Sequence, residues 1–130
     1  MVNDPVADFI NRIKTAQLVG LSNVSIPFSK MKFEIASLLF KEGYVGEVKK
    51  HGKKAKRFIE VTLKYENGKP EVRGVKRLSK PSRRVYVKST EIRPVKYGHG
   101  LLVVSTPKGL LTGRDARKEK VGGEALFSIW

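Results

Sequence analysis

The sequence predicts an α+β fold of two small domains, with helices packed on short, mostly antiparallel sheets. Three observations predict it. Two segments near the start repeat their apolar residues at helical spacing, and most of the remainder alternates with a period of two. The tract Ser79-Lys80-Pro81-Ser82 breaks that alternation, which sets a boundary between a domain over 1–78 and one over 79–130.

Asp4-Pro5 starts the first helix, with Asp as N-cap and Pro at the first helical position. Val6, Phe9, Ile10 and Ile13 form its apolar face, and the pattern fades before Gly20. A short extended piece, Val24-Ser25-Ile26, ends at Pro27. Ser29 caps a second helix that carries Met31, Ile35, Leu38 and Leu39 on one face and stops at Gly43. Strands follow over 45–49 and 58–65. Asn67-Gly68 then turns the chain into a further strand over 72–78. In the second domain, 84–88 alternates as a strand and 101–104 reads as a buried one. Thr112 caps a short helix reaching Lys118 or Lys120, Gly122-Gly123 ends it, and 125–130 closes the chain as a strand.

The 130 residues, of which 40% are hydrophobic, suffice for a real core. Charge is the strongest compositional signal: 27 Lys and Arg against 12 Asp and Glu give a formal +15. A compact domain with that excess repels itself, which points to a polyanionic partner. The absence of cysteine excludes disulfides, zinc fingers and thiol chemistry. No basic start with an apolar run behind it marks a signal peptide, so the expected location is the cytoplasm.

The cations come in runs. Lys49, Lys50, Lys53, Lys54, Lys56 and Arg57 crowd the connection between two strands without an acid among them. Arg73, Lys76, Arg77, Lys80, Arg83, Arg84 and Lys88 make a second acid-free stretch, and no carboxylate lies between Glu91 and Asp115. One such run reads as a solvated loop, whereas several together read as a surface for phosphates. A membrane surface fits poorly, because the first helix offers only Arg12 and Lys14 against Asp4 and Asp8. Phe9, Phe58 and Phe127 are expected in the core; Tyr86, in a basic strand, is the aromatic placed to touch RNA.

No apparatus for catalysis is visible. His51 and His99 lack acids or second histidines at ligand spacing, and His51 is expected solvated in its lysine-rich loop. The glycines around His99 lack the third glycine of a dinucleotide fingerprint and precede a strand. Asp4 with Asp8, a close carboxylate pair, suits a helix start better than a metal.

One loop stands apart: Ser105-Thr106-Pro107-Lys108-Gly109, two hydroxyls, a cation and a glycine in a tight turn. Hydroxyls pair with ribose 2′-OH groups and glycine allows close backbone approach. With its sequel to Arg117 and the later Val121-Gly122-Gly123-Glu124, this loop resembles the C-terminal signature of bacterial small-subunit ribosomal protein eight. Asp4 to Asp8 with Arg12-Ile13-Lys14 is similar to that family's opening. Ser29-Lys30-Met31-Lys32 through Tyr44 is similar to its second helix, and Arg77 to Pro81 with Arg84-Val85-Tyr86 to its interdomain segment.

The resemblance implies a non-enzymatic ribosomal scaffold of two α+β domains that binds a helix in the central domain of small-subunit rRNA early in assembly. It further implies binding to its own operon mRNA in some members, no cofactor or metal, and no membrane partner. A monomer when free is expected, with neighbouring ribosomal proteins, protein five foremost, as partners on the ribosome. The family's Ser-Thr-Ser-x-Gly loop maps onto Ser105, Thr106, Lys108 and Gly109, with Gly123 and Glu124 beside it. Tyr86, Arg84, Lys80 and Lys30 complete the expected RNA-binding set. Three positions depart from the family: Pro107 for serine, Ser82 for glycine and Gly113 for aspartate. The first removes a hydroxyl and an N–H, the second alters a linker turn, and the third weakens a helix start. A metal-dependent nuclease and a general DNA-compacting protein are the competing readings. The first lacks an acid cluster, and the second predicts equal affinity for any duplex.

Overall fold

A computed structural model describes residues 4–130, which form an α+β fold of two compact units. The first, Pro5–Val72, opens with helix α1 (Pro5–Leu18), strand β1 (Asn23–Pro27) and helix α2 (Lys30–Lys41). Strands β2 (Val48–His51) and β3 (Phe58–Thr62) follow, then a hairpin of β4 (Tyr65–Glu66) and β5 (Lys69–Pro70). β3 is the centre of an antiparallel sheet in the order β1-β3-β2. Val6, Phe9 and Ile13 of α1 and Ile35 and Leu39 of α2 are buried with Ile26, Ile59 and Val61 of the sheet. Both helices end on a glycine with positive φ, Gly20 at 74° and Gly43 at 85°, where a side chain would strain the backbone.

The apolar face of α2 differs from expectation. Met31 and Leu38 are only half-buried, while Lys32, at 8% exposure, takes a place in the core-facing row. A buried ammonium needs a partner, and Asp8 of α1 supplies one at 2.5 Å. Asp8 also accepts from Arg12, one turn along, at 3.0 Å. The Lys32 hydrogen bond, followed by that of Arg12, holds the Asp8 carboxyl below its ordinary value of 3.8 against the opposing effect of burial.

Asn67 and Gly68 sit at φ 54° and 77°, the pattern of a two-residue type I′ turn. The hairpin they close is only two residues long on each side, not a strand over 72–78. Pro70 has no N–H to continue a ladder. The segment beyond it instead forms β6 (Val75–Arg77), which pairs with the last strand of the chain. The second unit therefore takes in Arg73–Trp130 together with Asp4, whose carboxylate is held bidentately by Arg77 at 2.8 and 2.9 Å. The Ser79–Ser82 tract lies within this unit, and Ser79 is buried there.

The remaining elements are β7 (Tyr86–Val87), β8 (Leu101–Thr106), β9 (Gly109–Thr112), helix α3 (Gly113–Lys118) and β10 (Gly123–Ile129). The sheet order is β6-β10-β8-β9, with β7 also paired to β10. A bulge at Leu126 shifts the register between Ala125 and Phe127, and all five residues from Ala125 to Ile129 are buried. Thr112 caps α3 by accepting from the Asp115 N–H at 3.0 Å. Gly113, far from merely weakening that start, is buried where a Cβ would press on Ile92 and Leu102 at 3.1 Å.

Phe58 is not a core residue. At the end of β3 it pairs with Pro27 and His51, remains 36% exposed, and stacks on the His51 ring with centroids 5.2 Å apart. His51 accordingly lies half-buried in a strand, not solvated in a loop.

Asp8→Asn should lower stability by about 1–2 kcal/mol, because Lys32 keeps its charge and loses its carboxylate. The wild-type advantage should be complete above pH 3.8 and vanish as the pH falls through the depressed folded-state pKa. Urea unfolding of both proteins at neutral and acidic pH measures the difference.

Candidate nucleic-acid interface

The expected RNA-binding residues of the second unit converge on one end of its sheet. Tyr86 on β7 pairs with Glu124 on β10, Glu124 with Ser105 on β8, and Ser105 with Leu110 on β9. Directly paired residues of antiparallel strands share a face, so these four side chains form a row across the sheet. Tyr86, 70% exposed, presents its ring to solvent at one end.

Beside the row, β8 turns into β9. Thr106 pairs with Gly109, leaving Pro107-Lys108 as a two-residue turn. Pro107 pre-sets the first turn position, and the positive φ of 102° falls on Gly109, which has no Cβ to strain. Thr106 is nearly buried at 9% exposure, and its hydroxyl is engaged at both ends. It donates to the Gly109 carbonyl at 2.8 Å and accepts from the Lys108 N–H at 3.1 Å. Thr106 thus shapes the loop from within, leaving Ser105 and Lys108 to face outward. The Lys108 ammonium lies 3.8 Å from Glu119, a loose and exposed pairing that a phosphate can displace.

Glu124 is the only carboxylate in the row. It accepts a hydrogen bond from the Ser79 hydroxyl and pairs with Arg84 at 3.0 Å. Ser79 Oγ also accepts from the Val85 N–H at 3.1 Å, which ties the segment 79–85 to β10. The same segment is fastened at the bulge, where the Leu126 carbonyl accepts from the amides of Leu78 and Ser79. Between these anchors Lys80 and Arg83 bond each other's backbone at 3.0 Å around Pro81-Ser82. Ser82 does not adopt positive φ, so this turn has no need of the glycine that the family resemblance implies there. Lys80, Arg83 and Arg84 are exposed on it.

Gly122 and Gly123 make the row possible. A Cβ on Gly123 would sit 2.0 Å from the Ser105 carbonyl oxygen, and one on Gly122 would sit 2.4 Å from that of Val87. Their contribution is the close approach of strands, which no side chain would allow. Ser79, in the sequence only part of the boundary tract, joins the candidate site through its hydrogen bonds with Glu124 and Val85. Its partner Glu124 lies 45 residues onward, and no local sequence signal names it.

Lys30 belongs to the first unit, exposed in the opening turn of α2. That unit carries its own basic surface. Lys50 and Arg57 lie over the Phe28 ring at 5.6 and 4.4 Å, and Lys50 also lies 5.0 Å from that of Phe33. Such cation–π contacts contribute about 0.5–1 kcal/mol each at exposed sites. Lys53, Lys54 and Lys56 project from the turn beyond them, with Lys54 at φ 53°.

A sheet end with an aromatic, a hydroxyl and cations, on a chain of formal charge +15, places the protein in the class of basic proteins whose surface suits a polyanion such as nucleic acid. The particular family comes from comparison: the family model described as Ribosomal protein S8 matches residues 4–130. A relative from Nitratidesulfovibrio vulgaris, "Small ribosomal subunit protein uS8", is 47% identical over 130 residues, covering 100% of both chains. Relatives of the same name from Persephonella marina and Vesicomyosocius okutanii are 46% and 44% identical, covering 100% and 99% of this chain and 100% and 98% of theirs. The chain belongs to the ribosomal protein S8 family, whose members are structural, non-enzymatic constituents of the small subunit of the cytoplasmic ribosome.

Gly123→Ala should destabilise the second unit by about 1–3 kcal/mol, since β10 must move away from β8 to admit one methyl group. Thermal unfolding measures this; Gly68→Ala, in the first-unit turn where space is open, gives the smaller cost of its positive φ alone.

Proposed function

We propose that the Tyr86–Glu124–Ser105 row and the Pro107-Lys108 turn bind a helix in the central domain of small-subunit rRNA and so assist assembly of the subunit platform. The observation that carries this reading is Glu124, a carboxylate at the centre of a predominantly cationic surface. A general polyanion binder gains nothing from an acid there, whereas a reader of RNA shape does. A carboxylate accepts from ribose 2′-OH and base amino groups and rejects a misplaced phosphate.

The roles follow from placement. Ser105 pairs with a 2′-OH or base edge, Tyr86 stacks on an unpaired base, and Arg84, Lys80 and Lys108 neutralise phosphates. Thr106, Gly109 and Gly123 hold the geometry, and Lys30 supplies a phosphate contact from the first unit. The same surface serves the chain's own operon mRNA where that message folds into the same shape. On the subunit, protein five is the proposed neighbour.

Binding to an isolated central-domain rRNA helix, against random duplex RNA and DNA across a salt series, tests the reading. With roughly six phosphates contacted, raising salt from about 50 to 200 mM should weaken binding about a thousandfold for any duplex. Preference for the rRNA helix should persist throughout, and equal affinity for all three would refute the proposal. Ser105→Ala should weaken only the rRNA complex, by about 3- to 10-fold, with the salt slope unchanged. Lys108→Ala should weaken all complexes and lower the slope by about one.

A further inference from the structure

At the other end of β8 from Ser105, the second unit contains a cavity of about 270 Å³ that the RNA-facing row does not use. Its floor is apolar: Ile92 and Leu101 are buried, and Val95 and Leu102 half-buried. Gly98 and Gly100 leave one wall without side chains. Arg93, Arg114 and Arg117 complete the lining, and no acidic side chain is among the described lining residues. Neither Arg93 nor Arg117 has a carboxylate within 4.0 Å among the described residues. Glu91, next to Ile92 in sequence, is committed to the Lys88 N–H at 2.8 Å.

We propose that this cavity docks a short acidic and apolar peptide segment of a partner protein. An aliphatic or aromatic side chain enters the pocket, and a neighbouring carboxylate is held by Arg93 and Arg117. Three features favour this occupant. The cavity lies just below the roughly 300 Å³ at which small-molecule sites begin, which suits one or two side chains. Guanidinium forks bind carboxylates bidentately, so charge complementarity selects an acidic segment. RNA is the poorer match: the guanidinium groups can meet a phosphate or a base, but the described lining gives no aromatic platform and no hydroxyl or amide to fix a base edge inside the apolar pocket. A duplex would touch the arginines and leave the apolar floor in water. The site is independent of the rRNA reading, because it uses neither the row nor the Pro107-Lys108 turn.

The test uses the full chain, isotopically labelled for amide NMR, and the acetylated peptide Gly-Glu-Leu-Phe-Glu-Gly at about 150 mM salt, where long-range attraction is screened. Amide shifts should concentrate in 92–102 and 113–117. Arg93→Gln with Arg117→Gln should weaken binding about tenfold or more. Lys53→Gln with Lys54→Gln, in the first unit, and Ser105→Ala should leave it unchanged. A peptide with Gln for both Glu, or Gly for Leu and Phe, should bind at least about tenfold more weakly. Shifts spread over every basic loop, or full affinity of the Gln peptide or of the double arginine variant, would overturn the proposal. So would a single-stranded oligouridylate that shifts the pocket amides and displaces the peptide, which would assign the cavity to RNA.

Discussion

Strand β10 has to satisfy three neighbours, and the second unit depends on how it does so. β8 occupies one edge. β7 and β6 share the other, β7 opposite Gly123 and Glu124, β6 opposite Phe127 to Ile129. Between them the bulge at Leu126 turns its carbonyl to the amides of Leu78 and Ser79, so the backbone pairing of that edge continues across the bulge. Gly122 and Gly123 let the neighbouring backbones close in where a Cβ would collide with carbonyl oxygens. The candidate surface follows from this arrangement: Glu124 is centred by it, Ser105 is brought beside Glu124, and the Lys80–Arg84 segment is fastened to it.

Charge acts on this frame at two ranges. The excess of cations attracts any polyanion, and salt screens that attraction over about 8–10 Å. Discrimination requires contacts at hydrogen-bond distance, from groups that cannot swing away. Ser79 and Arg84 fix the Glu124 carboxylate, and the Thr106 hydroxyl fixes the turn that carries Lys108. Formal charge also overstates what is available to a partner. In the first unit Lys50 and Arg57 lie over aromatic rings, and Lys32 is buried and paired with Asp8.

Local signals were legible in the sequence, and non-local ones were not. Helix starts at Pro5 and after Ser29, the Thr112 cap and the Asn67-Gly68 turn are written in a few adjacent residues, and each appears where those residues place it. The partner of 75–77 was not legible, because it lies some fifty residues onward and nothing in either segment names the other. Lys32 among buried residues depends on Asp8 one helix away, and Phe58 at a strand end depends on His51 across the sheet. The family motifs drew attention to Ser105, Glu124 and Gly123, and the fold brings these together. They could not show that Thr106 faces inward, since a hydroxyl in a turn reads alike whether it faces solvent or its own backbone.

Two exposed basic turns of the second unit, Pro81-Ser82 and Pro107-Lys108, begin with proline and are closed by reciprocal backbone pairing or by a threonine hydroxyl. The entropy of shaping these loops is lost when the chain folds, not when a partner arrives. These two loops therefore present a finished mould to a partner. On the proposed reading, the conformational search that fits the two together falls to the RNA.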